Sequence, residues 1–150
     1  MPQSLANIIV HLVFSTKDRL PLITPAIESD LFPYLAAILN AHHSSPILID
    51  GSADHVHLAF RLARTVSLSK TVEEVKKSSS GWIKTKGPEF ARFYWQNGYG
   101  AFSVGQSGLD AVLNYIRNQK QHHHRVSFQE EFRILLTEHH VEWDERYVWD

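Results

Sequence analysis

Cysteine is absent from this 150-residue sequence, which excludes disulfides and thiolate metal ligands. No apolar run approaches the roughly 18 residues a helix needs to cross a bilayer, so no membrane partner is expected. The opening stretch, MPQSLANIIVHLVFSTKDR, lacks a basic leader and a small-residue cleavage site, and is not read as a signal peptide. A bacterial or archaeal cytoplasm is the expected compartment. Excess charge is lacking too. A formal net charge of −1 argues against a protein that coats nucleic acid through bulk charge. Repeats, low-complexity tracts and linkers are also missing, so residues 1–150 are read as one domain with room for a sizeable core.

What charge there is lies unevenly. Eight basic residues face three acidic ones between Arg61 and Arg92, whereas Phe128–Asp150 holds seven acidic residues and only Arg133 and Arg146. One part of the surface is suited to phosphate and the other repels it, although two ordinary solvated faces would give the same count.

Asn7–Phe14 (NIIVHLVF) reads as a buried strand. Thr24-Pro25 opens a helix carrying Ile27, Leu31, Tyr34, Leu35, Ile38 and Leu39 at helical spacing, with a kink or late start expected at Pro33. Pro46–Asp50 is a short strand, and Gly51-Ser52 marks a turn. Asp54–Leu62 (DHVHLAFRL) alternates, with Val56, Leu58, Phe60 and Leu62 on a core face and His55, His57, Ala59 and Arg61 on a polar one. Ser67–Lys86 is a helix capped by Ser67 or Ser69, and Phe93–Gln106 an aromatic-rich irregular strand or hairpin around Asn97-Gly98. Ser107–Arg125 and Phe128–His139 are helices, followed by an aromatic tail. The order β-α-β-β-α-β-α predicts an α+β fold of the split βαβ kind: an antiparallel sheet with two helices on one face and a further, tyrosine-bearing helix appended.

His55 and His57, two apart on a strand, project from one face with Cβ atoms roughly 6–7 Å apart, so both imidazoles reach one divalent ion. Alone, the pair reads as two partly exposed strand histidines, and the uniformly apolar opposite face is what favours a metal role. Tyr115 and Gln119 lie one turn apart on a helix face that continues to His122 and His123, with Arg117 and Lys120 beside them and Leu109, Val112, Leu113 and Ile116 on the core side. Tyr115 alone reads as a core-edge aromatic, and His122–His124 as a solvated helix end. Together these residue types suit phosphodiester chemistry. A cation held by imidazoles and an amide carbonyl screens the phosphate, and a phenol gives a covalent intermediate that keeps the ester's energy without a nucleotide cofactor.

VHLVFSTKDR (Val10–Arg19), DGSADHVHLAF (Asp50–Phe60), SLSKTVEEVKKSSSGWI (Ser67–Ile83), FYWQNGYGAFSV (Phe93–Val104) and YIRNQKQHH (Tyr115–His123) occur in that order. With these blocks the chain resembles the IS200-like, single-tyrosine (Y1) HUH transposases, including their REP-associated relatives. The resemblance implies a ferredoxin-like or RRM-like fold in a homodimer. It also implies Mg²⁺ or Mn²⁺ on His55, His57 and Gln119, and attack by Tyr115 on single-stranded DNA near a hairpin, leaving a 5′-phosphotyrosine and a free 3′-hydroxyl. In such proteins the tyrosine helix can complete the partner's site in trans, for which Gly105 and Gly108 would supply a flexible connection. Lys76, Lys77, Lys84, Arg117 and Lys120 are the candidate DNA contacts. Two other readings stay open: a domesticated hairpin-specific nickase, and a non-catalytic nucleic-acid-binding module whose Phe93–Phe102 aromatics stack bases. A zinc hydrolase is disfavoured because Asp54 is placed on the strand face opposite the histidines.

Overall fold

The computed structural model describes residues 2–122 and 125–150, without the His122 side chain. The imidazoles of His122, His123 and His124 lie outside the described residues. The β-branched run becomes β1 (Ile9–Ser15), buried along its whole length. It is followed by α1 (Pro25–Ala41), β2 (Ser45–Gly51), β3 (His55–Arg61), α2 (Leu68–Lys84) and β4 (Gly100–Val104). The chain then forms α3 (Leu109–Arg117), α4 (Gln119–His122) and α5 (Phe128–Glu138). The four strands are all antiparallel in the order β2-β3-β1-β4, the ferredoxin-like arrangement expected from the split βαβ pattern.

On one face of the sheet, α1 and α2 bury Leu31, Leu35, Leu39, Val72, Val75 and Ile83 against Leu12, Phe14, Val56, Leu58 and Phe60. The other face is covered as well. Val13 and Phe102 pack against Phe128, Phe132, Leu135 and Leu136 of α5, with Val148 and Trp149 at the margin. The side of β3 that alternation made polar and solvated is therefore an interior layer.

Local chemistry sets the boundaries. Thr24, Ser67 and Ser127 cap α1, α2 and α5, each accepting the backbone N–H three residues on. The late start allowed for at Pro33 does not occur: α1 begins at Pro25. Pro33 lies on the exposed side of α1, where water can satisfy the carbonyl it orphans, and the helix runs through. The single helix expected over Ser107–Arg125 is divided instead. Asn118 ends α3 with φ −95° and ψ 17°, donating its N–H to the Asn114 carbonyl, and α4 begins afresh at Gln119. The aromatic segment makes one strand rather than a hairpin, and upstream of it a bridge between Thr16 and Trp95 joins it to the end of β1. Side chains satisfy its backbone in place of a partner strand: the Lys76 ammonium donates to the carbonyls of Gln96, Asn97 and Gly98 at 2.8, 3.2 and 2.6 Å.

Two glycines permit the close approaches that frame the histidines. A Cβ on Gly51 would overlap the His55 carbonyl oxygen, which accepts the Ser52 N–H at 3.0 Å across the β2–β3 turn. A Cβ on Gly100 would overlap the Phe132 ring, so β4 admits α5 only because that position is bare. The C-terminal tail then straps α5 down. The Arg19 guanidinium donates to the Trp149 carbonyl at 2.9 Å, and Arg133 of α5 pairs with Glu145 at 2.5 Å.

Gly51→Ala is expected to cost about 1–3 kcal/mol through overpacking against backbone that cannot step aside. The cost appears as a lower urea midpoint with an unchanged slope. Gly81→Ala on α2, where an added methyl meets nothing within 4 Å, should be neutral or stabilising by up to about 1 kcal/mol.

Candidate metal centre and tyrosine site

β3 carries His55 and His57 to the inner layer, both 0% exposed. Opposite them, α5 presents Phe128, Phe132, Leu135 and Leu136 as an apolar stripe, and Glu131 stands in the middle of that stripe at 1% exposure. Its Oε1 lies 3.1 Å from His57 Nε2 and 3.4 Å from His55 Nε2. The start of α4 adds Gln119, whose Oε1 is 3.1 Å from His55 Nε2 and whose amide donates to Glu131 Oε2 at 3.2 Å. Tyr115 of α3, half-buried, donates its hydroxyl to the same Oε2. Its ring centroid is 5.9 Å from that of His57. The structure thus brings together all four residues singled out in the sequence (His55, His57, Gln119 and Tyr115) within one chain.

The outer nitrogens of both imidazoles are engaged. His55 Nδ1 lies 2.7 Å from Asp54 Oδ1 and 3.1 Å from Ser52 Oγ. His57 Nδ1 lies 2.7 Å from Nε2 of His11, a buried β1 residue on the same sheet face. The placement of Asp54 opposite the histidines is therefore corrected. Asp54 precedes the first residue of β3, so strand alternation does not govern its side chain, and its carboxylate turns back onto His55. With Glu131 also at the pair, the objection that a hydrolase would lack a carboxylate no longer stands.

Charge decides what this layer requires. An unmatched carboxylate this deep costs several kcal/mol, whereas a neutral hydrogen bond contributes only about 0.5–1.5 kcal/mol. The Tyr115 and Gln119 bonds cannot offset that, whereas a positive charge at the imidazoles does. In the metal-free chain a proton provides it. Burial pulls the His55 pKa down, but the Asp54 and Glu131 carboxylates more than reverse this and raise it to about 9. Burial, aided by neighbouring His57, lowers His11 to about 3, which keeps it neutral and able to accept a hydrogen bond from His57 Nδ1–H. Tyr115 is driven well above the ordinary phenol range, by burial first and by the Glu131 charge second.

His55, His57 and Glu131 each offer a ligand atom within 4.8 Å of one another, and Gln119 Oε1 faces the same point. Two imidazole nitrogens, a carboxylate and an amide oxygen form a mixed nitrogen and oxygen donor set for a divalent cation, with no thiolate or thioether in it. Sequence reasoning missed Glu131, His11 and the turn of Asp54. A signal existed for Glu131: it occupies position i+3 of an otherwise apolar i, i+4, i+7, i+8 stripe.

The candidate DNA contacts are placed variously. Lys77 is exposed on α2, while Lys76 is committed to its three carbonyls. Burial lowers its pKa to about 8. Lys84 donates to Ser80 Oγ at 2.8 Å and lies over the Tyr94 ring. Lys120 pairs with Glu28 and Asp50 at 2.5 and 3.3 Å, and Arg117 is exposed on α3.

Residues 4–119 match the model of the IS200-like transposase family. The chain belongs to that family. No curated protein sequence matches. Among solved structures, a protein from Deinococcus radiodurans R1 designated a transposase is 20% identical, with a TM-score of 0.62, over 79% of this chain and 98% of its own. A REP-associated tyrosine transposase, solved bound to a REP hairpin, is 12% identical with a TM-score of 0.63, over 84% of this chain and 74% of its own. At these identities the likeness is one of fold, the α+β sheet with its helices. Among the described residues no helix is long and apolar enough to cross a membrane.

The pKa shifts predict opposite limbs for metal-free stability. His55, raised from 6.5 to about 9, contributes stability that is complete below 6.5 and lost as pH rises through about 9. His11, lowered from 6.5 to about 3, contributes stability present above 6.5 and lost as pH falls toward 3. Urea unfolding in chelator should therefore show maximal stability near the ordinary imidazole value of 6.5, and His55→Gln should flatten the alkaline limb.

Proposed function

We propose that the protein is a metal-dependent single-stranded DNA transesterase that cleaves and rejoins DNA at hairpin-bearing ends through Tyr115. The observation that carries this reading is that the Tyr115 hydroxyl and both Nε2 atoms meet on the two oxygens of one carboxylate. Family membership and the likeness to a hairpin-bound tyrosine transposase support DNA as substrate.

Four side chains would hold the cation: His55 and His57 by Nε2, Gln119 by Oε1 and Glu131 by Oε1. A bound Mg²⁺ or Mn²⁺ would polarise the scissile phosphate and screen its charge. The chain's own groups do the rest. Glu131 Oε2, already accepting the phenol's hydrogen bond, takes the Tyr115 proton as the phenol oxygen bonds to phosphorus. The bond from phosphorus to the 3′-oxygen breaks and that oxygen takes up the proton Glu131 received, leaving a 5′-phosphotyrosine and a free 3′-hydroxyl, and rejoining reverses these steps. His11 and Asp54 hold the imidazoles in the tautomers that turn an Nε2 lone pair toward the cation site. Because the Tyr115 of one chain meets that chain's own histidines, the homodimer expected from the resemblance would serve to pair two DNA ends. In this reading Lys77, Lys84, Arg117 and Lys120 track phosphates, with Lys76 shaping the loop beside them.

Glu131 against the histidines also favours a second reading, hydrolysis by a cation-activated water with Glu131 as base. Single-stranded hairpin DNA incubated with protein and Mn²⁺, then run on a denaturing gel, separates the two. Transesterification gives a covalent protein–DNA adduct that Tyr115→Phe abolishes, whereas hydrolysis cuts the DNA without one. His57→Ala is expected to lower cleavage at least about a hundredfold while hairpin binding persists. Binding with no cleavage under any divalent metal would leave a recognition module. Lys77→Ala should weaken binding and reduce the salt slope by about 1, and an unchanged slope would remove α2 from the DNA surface.

A further inference from the structure

A cavity of about 390 Å³ opens beside Tyr115, between β4, α3 and α5. Its volume is in the range of small-molecule sites. Glu131 of the metal cluster and Tyr115, whose hydroxyl bonds it, both line this cavity. The buried His11 imidazole lies inward, its ring 6.2 Å from that of Tyr115. The side walls are apolar, formed by Val112, Leu135 and Ile134, the last a large aliphatic side chain left 51% exposed on α5. Glu138, exposed on the last turn of α5, contributes a carboxylate to the lining. The α5 wall lies beyond the segment that matches the family model.

We infer that this cavity receives the nucleobase next to the scissile phosphate and favours bases with an exocyclic amine (adenine, cytosine, guanine) over thymine. The inference rests on the proposed reading, since it takes the phosphate to sit at Tyr115. A nucleotide whose phosphate meets the phenol oxygen has its base one sugar away, and the cavity that Tyr115 lines is the space beside that oxygen. Apolar walls on both sides suit a flat ring removed from its stack, as in enzymes that read an extruded base. The Glu138 carboxylate is an acceptor only. It matches the amines of adenine, cytosine and guanine, whereas thymine flanks its one N–H with two carbonyl oxygens that the carboxylate repels.

The full chain in Mg²⁺, with methyl resonances of Val112, Ile134 and Leu135 observed by NMR, is titrated with dAMP, dCMP, dTMP and the base-free control deoxyribose 5-phosphate. The first two are expected to shift these methyls saturably, dTMP to half-saturate at roughly threefold to tenfold higher concentration, and the control to leave them in place. Ala111→Trp, at an exposed lining position, should obstruct the cavity and remove the shifts. Glu138→Gln, also exposed, should narrow the gap between dCMP and dTMP. Equal shifts from the base-free control, or no shift from any nucleotide, would overturn the inference. None of these readouts needs cleavage. Base-dependent shifts without a Tyr115 adduct would sink the transesterase and leave the base site standing, and an adduct without shifts would do the reverse.

Discussion

A carboxylate held between two imidazoles in a dry layer is the constraint around which the rest of this molecule is arranged. Glu131 and both histidines are almost wholly removed from water, so an uncompensated charge there costs several kcal/mol, a sizeable share of a small domain's total stability. The neighbouring features serve that layer. Gly51 lets the β2–β3 turn close tightly enough to bring Ser52 and Asp54 onto His55, and Gly100 lets α5 settle on β4. Trp149 and Arg133 bind the tail to α5, and α5 carries Glu131. A proton on His55 provides the positive charge in the metal-free chain, and the same donor atoms are those a divalent cation would use.

The sheet order and the pairing of His55 with His57 on one face of β3 were legible in the sequence, because both follow from periodicity and from the punctuation of Thr24-Pro25, Gly51 and Gly87-Pro88. The burial of that face was not. Alternation along β3 says which side chains share a face, but only the packing of Phe128, Phe132 and Leu135 reveals that the polar face is roofed. Glu131 was hidden for a related reason. The C-terminal stretch reads as an acidic surface, and seven carboxylates in 23 residues obscure the one that sits in register with the phenylalanines. The break at Asn118 was invisible to helical periodicity, yet it lets Gln119 turn its amide toward His55 and Glu131.

The basic stretch between Arg61 and Arg92 has a mixed character. Net charge counts Lys76 and Lys77 alike, but Lys76 is drawn into the fold by three carbonyls and two rings, while Lys77 faces solvent. Lys120 is likewise paired with Glu28 and Asp50. The electrostatic footprint open to a phosphate backbone is therefore smaller than the sequence count implies, in keeping with a net charge of −1.

Anomalous diffraction from crystals of the full chain equilibrated with Mn²⁺ tests the central arrangement most directly. A single strong peak is expected between the Nε2 atoms of His55 and His57 and the side-chain oxygens of Glu131 and Gln119, with the Tyr115 hydroxyl beside it. No peak there at saturating Mn²⁺, or a peak elsewhere with the Glu131–imidazole contacts intact, would contradict it.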